Sequence, residues 1–179
     1  MSAQGISVAG TTRSDAKFAR LEKAGLEPCA FDGLTLDDAL LKRLGKATHL
    51  LMSIGPDEGG DPLVPVHADL LKRHAANLKW IGYLSTVGVY GDHDGGWVDE
   101  TTQCKPVSRR SVDRLQAEKA WEAFAQVLGV PLAILRLSGI YGPGRNTFRN
   151  LSEGSAKRII KPGQVFNRIH VADIARAAL

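Results

Sequence analysis

The chain carries only two cysteines, Cys29 and Cys104, and aromatic residues make up 6% of its 179 positions. Neither cysteine belongs to a CxxC pair or lies near paired histidines, so neither a zinc centre nor a disulfide framework is signalled, and no metal site is expected. No apolar run approaches the ~20 residues that cross a bilayer. The longest, His49 to Ile54, matches one buried strand, so no membrane partner is expected. Met1-Ser2-Ala3-Gln4-Gly5 has neither a basic stretch nor an apolar one. A secretory signal is therefore not expected, and the two thiols are read as reduced in the cytoplasm. There is no block of one charge: Lys plus Arg is 23, Asp plus Glu is 19, and the net charge is +4. Arg109-Arg110 and Lys157-Arg158 come nearest to a cluster, and there is no basic stripe or aromatic interleaving of the kind that reads nucleic acid. A site for a small anion accounts for the mild excess.

Two apolar periods alternate along the chain. Strands are expected over Ile6–Gly10, Pro28–Phe31, Thr48–Ser53, Leu78–Thr86 and Val130–Leu137. Helices are expected from Ser14 to about Ala24, from Thr35 or Leu36 to Leu44, from about Val64 to Ala76, over Ser111–Leu128 and from Ala172 onward. Alternation of this kind means βαβ units in a mostly parallel sheet with helices on both faces. Without a repeat or linker, residues 1–179 read as one domain. Ligands bind such sheets beyond the carboxyl ends of the strands. Those segments are Gly10–Arg13, Asp32-Gly33, Ser53–Pro56, Ser85–Gly91 and Ser138–Arg145, all rich in Gly, Ser, Thr or Tyr.

Three motifs carry a resemblance. Thr86-Val87-Gly88-Val89-Tyr90-Gly91, Arg136-Leu137-Ser138-Gly139-Ile140-Tyr141-Gly142-Pro143 and His170-Val171-Ala172-Asp173-Ile174-Ala175 stand in this order. They resemble the motifs of the extended and atypical short-chain dehydrogenase/reductases, the NAD(P)-dependent epimerase/dehydratase branch. The resemblance implies a Rossmann-like, doubly wound α/β fold and a nicotinamide cofactor. It also implies a nucleotide-sugar or similar small hydroxy or carbonyl substrate. Glu100 stands where such enzymes carry an acidic residue. Thr11, Thr12 and Arg13 would follow the family's second strand. An arginine there favours the 2′-phosphate of NADP over the 2′-hydroxyl of NAD. Asp32 would accept from the adenine amino group, unless it serves only an Asp-Gly turn. Ser53, Ile54, Gly55 and Ser85 would border the rest of the cofactor. Thr86 would be the hydroxyl that bonds the reacting oxygen.

Two departures qualify the resemblance. No G-x-G-x-x-G turn follows a strand; that turn holds a pyrophosphate on a helix N-terminus. The fold is therefore expected to lack its first strand and the family's C-terminal part, and a homodimer is one way to cover the gap. The family's Tyr-x-x-x-Lys pair is also replaced. Counting back from Glu118, its positions hold Arg110 and Arg114, and the three tyrosines, Tyr83, Tyr90 and Tyr141, lie elsewhere. Arginine does not give up its proton at working pH, so Arg110 cannot act as a base, whereas Arg114 can replace the Lys as a cation. The alternative is a nucleotide-binding or remnant protein without enzyme activity.

Overall fold

The computed structural model describes residues 5–58, 60–158, 160 and 162–179. In chain order it contains β1 (Ala9–Thr12), α1 (Phe18–Lys23), β2 (Glu27–Ala30), α2 (Asp38–Leu44), β3 (His49–Met52), α3 (Val64–His74) and β4 (Trp80–Thr86). Then come α4 (Arg109–Leu128), β5 (Leu132–Leu137), β6 (Gly139–Tyr141), α5 (Thr147–Ser152), β7 (Arg168–His170) and α6 (Val171–Ala177). Every strand pair is parallel. The fold is α/β and Rossmann-like.

Long-range pairing sets where elements begin. The first strand is expected at Ile6–Gly10 but begins three residues later and ends two later, because its ladder runs from Ala9 opposite Glu27 to Thr12 opposite Ala30. Thr11 and Thr12 therefore belong to the strand end, and Arg13 opens the loop. Ser14 stands before a single 3-10 turn over Asp15–Lys17 and makes no side-chain cap bond, so α1 begins at Phe18. Asp37 caps α2, its Oδ1 accepting from the Leu40 N–H at 2.7 Å. Ser108 caps α4, its Oγ accepting from the Ser111 N–H at 3.1 Å. Gly129, at φ 67°, closes α4 in the left-handed conformation that glycine adopts at no steric cost.

The expected single sheet is divided. Among the described residues the ladders form three sheets, β1-β2, β3-β4-β5 and β6-β7. β1 and β3 share no ladder. The order β2-β1 followed by β3-β4-β5 is the doubly wound order with its central place vacant. The two larger sheets nevertheless share one core, in which Phe31, just after β2, joins Met52 of β3, Tyr83 and Ile81 of β4, and Trp121 and Phe124 of α4. Side chains alternate across a strand. Phe31 faces this core, and Gly10 lies on the opposite face, where a Cβ would come within 3.8 Å of Leu21 in α1. Helices thus flank the β1–β2 pair on both sides. Trp121 is fully buried and Trp80 half-buried, but Trp97 is wholly exposed. Its loop is held by polar turns at Asp92 and Asp99 rather than by packing.

Candidate functional site

The carboxyl ends of β1, β2 and β3 converge. Thr11, Thr12 and Arg13 line a cavity of about 80 Å³ together with Phe31, Gly33 and Ile54. Residues from three separate strand ends thus meet, as the doubly wound arrangement requires. Thr12 Oγ1 accepts from the Ser14 N–H at 3.4 Å. The Arg13 side chain is exposed beside them. Asp32 Oδ1 accepts from the Leu34 and Thr35 N–H groups at 2.7 and 2.8 Å, and these bonds hold its carboxyl below the usual carboxylate range. The turn reading of Asp32 is therefore built into the loop.

A second group of residues gathers around Arg114. Its Nη1 donates to the Leu84 carbonyl at 2.7 Å, and its guanidinium carbon lies 5.8 Å from the centre of the Tyr83 ring. The Ser53–Pro56 loop passes so close that a Cβ at Gly55 would lie 2.7 Å from Arg114 Nη2. Helix α4 and the loop after β3 thus meet through a cation. Ser53 is exposed and Ile54 half-buried. Gly55→Ala should push the guanidinium off Leu84 and cost about 1 kcal/mol, the scale of one such bond. In an Arg114→Ala background the same change should cost almost nothing. A double-mutant cycle by urea unfolding checks this, and additive costs would refute the contact.

Beyond β4, Thr86 ends the strand and its Oγ1 accepts from the Gly88 N–H at 3.2 Å. A wider cavity of about 330 Å³ opens beside it, lined by Gly88, Gly91, Asp92, Val107, Ser108, Ser111 and Gln164. Gly91 is at φ +81° and packs on the Lys105 carbonyl, where a Cβ would come within 2.0 Å, so only glycine fits there. Arg110 is exposed in the first turn of α4 and is not among the residues lining either cavity. Glu100 is likewise exposed. Ser85 is buried, and its hydroxyl donates to Glu118.

Three supports of the site carry no local signal. Glu118, at 1% exposure, is held by Arg136 through Nη2 at 2.8 Å and Nε at 3.2 Å. Arg136 in turn lies 4.8 Å over the Tyr90 ring. Asp61 is buried, accepting from the Leu63 and Val64 N–H groups at 3.0 Å and from Trp121 Nε1 at 2.8 Å. It ties the loop after β3 to α4. The Tyr83 hydroxyl is buried with no hydrogen-bond partner. Burial raises its pKa from 10 to about 12, against the opposing pull of Arg114.

Because the folded-state pKa is the higher one, Tyr83 contributes stability below pH 10 that is lost as pH rises from 10 toward 12. Tyr83→Phe should leave stability at pH 7 unchanged or raise it by up to about 1 kcal/mol. It should also flatten the fall in stability above pH 10. Denaturant titrations at the two pH values test both parts.

The geometry defines a class first: a parallel, doubly wound α/β protein whose strand ends line two cavities. Comparison then gives the family. The chain belongs to the NAD dependent epimerase/dehydratase family, whose model matches residues 68–179. A functionally unknown conserved protein from Silicibacter pomeroyi DSS is 46% identical, with a TM-score of 0.84 over 97% of this chain and 58% of that one. UDP-glucuronic acid 4-epimerase from Bacillus cereus, solved with UDP-glucuronic acid and NAD, shares the fold at 20% identity. Its TM-score is 0.68 over 98% of this chain and 64% of that one. An uncharacterized UDP-glucose epimerase, YtcB of Bacillus subtilis (strain 168), is 39% identical over 67 residues, 37% of this chain and 21% of that protein. The chain thus spans less than two thirds of each of these proteins. Among the described residues no helix is long and apolar enough to cross a membrane.

Proposed function

We propose that the chain is a nucleotide-binding member of its family that takes NADP(H) in preference to NAD(H). The observation that carries this is the cavity where Thr11, Thr12 and Arg13 meet Phe31, Gly33 and Ile54. Two hydroxyls and a guanidinium fork match the oxygens of a 2′-phosphate, and Phe31 and Ile54 offer an apolar wall to an adenine ring. The donor set fits the adenosine end of the cofactor. Arg114, already anchored on the Leu84 carbonyl, would face the nicotinamide ribose, and Thr86 the reacting oxygen. The wider cavity at Gly88, Ser108 and Ser111 would take the substrate; its hydroxyls suit a nucleotide sugar or a similar small hydroxy or carbonyl compound. The two free thiols, Cys29 and Cys104, fit the cytoplasm.

A bound nicotinamide supplies hydride transfer. The protein's part is to position and to move a proton, and here it departs from a tyrosine mechanism. Arg110 holds its proton at any working pH. Thr86 can donate a hydrogen bond to a carbonyl oxygen but is too weak an acid to give up its proton unaided. This favours a second reading, nucleotide binding without turnover. Fluorescence titration with NADPH and NADH separates the outcomes. Tighter binding of NADPH supports the cofactor reading, equal affinities remove the 2′-phosphate site, and no binding to folded protein removes the cofactor reading.

A further inference from the structure

We propose that Asp92 selects ligands by charge in the wide cavity beyond β4, admitting a neutral hydroxylated ring and disfavouring one that carries a carboxylate. This rests on the reading of that cavity as the substrate's. Among the described residues, Asp92 is the one acidic or basic side chain in its lining. The Ser108 and Ser111 hydroxyls, the Gln164 amide, Val107 and the backbone at Gly88 and Gly91 supply the rest. A carboxylate entering this cavity meets no guanidinium or ammonium group to pair with, and one charge that repels it. Repulsion of this kind lets a site reject a close analogue that its attractive contacts would accept.

The neighbouring cations do not offset that charge. Arg109 Nε donates to Asp113 at 3.3 Å, one turn along α4. Arg110 is exposed and outside the lining. Lys105 meets the cavity wall at Gly91 through its backbone carbonyl. The amino end of α4 favours an anion, but its Ser111 N–H already donates to Ser108 Oγ at 3.1 Å. The Asp92 carboxylate is also held in place. Its Oδ1 accepts from the Asp94 N–H at 3.0 Å, and Oδ2 has no hydrogen-bond partner among the described residues. That second oxygen is free to accept from a ring hydroxyl. Ser108 donates to Ser111 Oγ at 2.9 Å, which leaves the Ser111 proton for a ligand oxygen. Hydroxyl groups both donate and accept, so a neutral polyol satisfies Asp92 and Ser111 together. A carboxylate only accepts and satisfies Ser111 alone.

Isothermal titration of the full chain with UDP-glucose and UDP-glucuronic acid isolates this effect, because the two differ only in a hydroxymethyl group against a carboxylate. The unmodified chain should bind UDP-glucose about tenfold more tightly. Asp92→Asn keeps the side-chain oxygen that the Asp94 N–H needs, and with it the turn, and removes only the charge. It should bring the two affinities within about twofold of each other. Gln164→Lys puts an ammonium group into the same lining and should bring UDP-glucuronic acid level with UDP-glucose or ahead of it. The proposal falls, with the substrate reading intact, if the unmodified chain binds both alike or prefers the acid. It falls in the same way if Asp92→Asn leaves the gap in place. If neither sugar binds folded protein, the substrate reading of the cavity falls and takes this inference with it.

Discussion

Glu118→Ala should cost about 3–5 kcal/mol, the loss seen when one partner of a buried ion pair is removed. That is a large share of the 5–15 kcal/mol that roughly holds such a domain folded. Glu118 is 1% exposed and takes both arms of Arg136 and the Ser85 hydroxyl. Its removal leaves the Arg136 guanidinium, with only 18% of its side chain exposed, facing Tyr90 without a counter-charge. Arginine cannot escape by losing its proton, which in the intact pair is held the more firmly by the hydrogen bonds Arg136 donates to Glu118. The converse change, Arg136→Met, should be cheaper, because a stranded carboxylate can take up a proton. The double replacement Glu118→Met with Arg136→Met should recover most of the loss, since two methionines fill similar volume with no charge to desolvate. Urea unfolding of the four proteins reads the order directly. If Glu118→Ala costs under about 1 kcal/mol, the pair is no more than a surface bridge.

That network also marks the limit of what the sequence discloses. Periodicity finds β1 to β5, α1 to α4 and α6, because burial on one face or two leaves a local imprint, but it misses the short β6, α5 and β7. It starts β1 three residues too early because the pairing with β2 decides the ends. Counting back from Glu118 finds Arg114, but nothing local links Gly55, Leu84 and Arg114, which meet only in the folded chain. Glu118 reads as a landmark on a helix, and its partner Arg136 lies eighteen residues further on. Asp61 and Trp121, sixty positions apart, are equally silent. Trp97, an aromatic residue, is wholly exposed because its neighbours form glycine and aspartate turns rather than packing. The vacancy in the strand order was legible for a different reason: no G-x-G-x-x-G turn follows a strand in these 179 residues, and the gap between β1 and β3 lies at the matching place.

Arg13→Ala should abolish any preference for NADPH over NADH while leaving NADH affinity almost unchanged. Arg13 opens the loop at the end of β1, exposed, in the cavity wall with Thr11 and Thr12. A hydrogen bond to a charged partner contributes about 1.5–3 kcal/mol, so losing a guanidinium fork on a 2′-phosphate weakens NADPH roughly 10- to 100-fold. NADH carries a hydroxyl there and has nothing to lose. The selectivity is therefore the informative quantity, and Arg13→Lys sharpens it. A lysine keeps the charge but not the planar fork, so it should retain part of the preference if charge dominates and little if bidentate geometry does. Raising salt should erode the wild-type preference in step, because an exposed pair is screened within about 10 Å at 0.1 M. Equal losses of NADPH and NADH on Arg13→Ala would instead place the guanidinium against the shared part of the cofactor, and the case for a 2′-phosphate site at β1 would be lost.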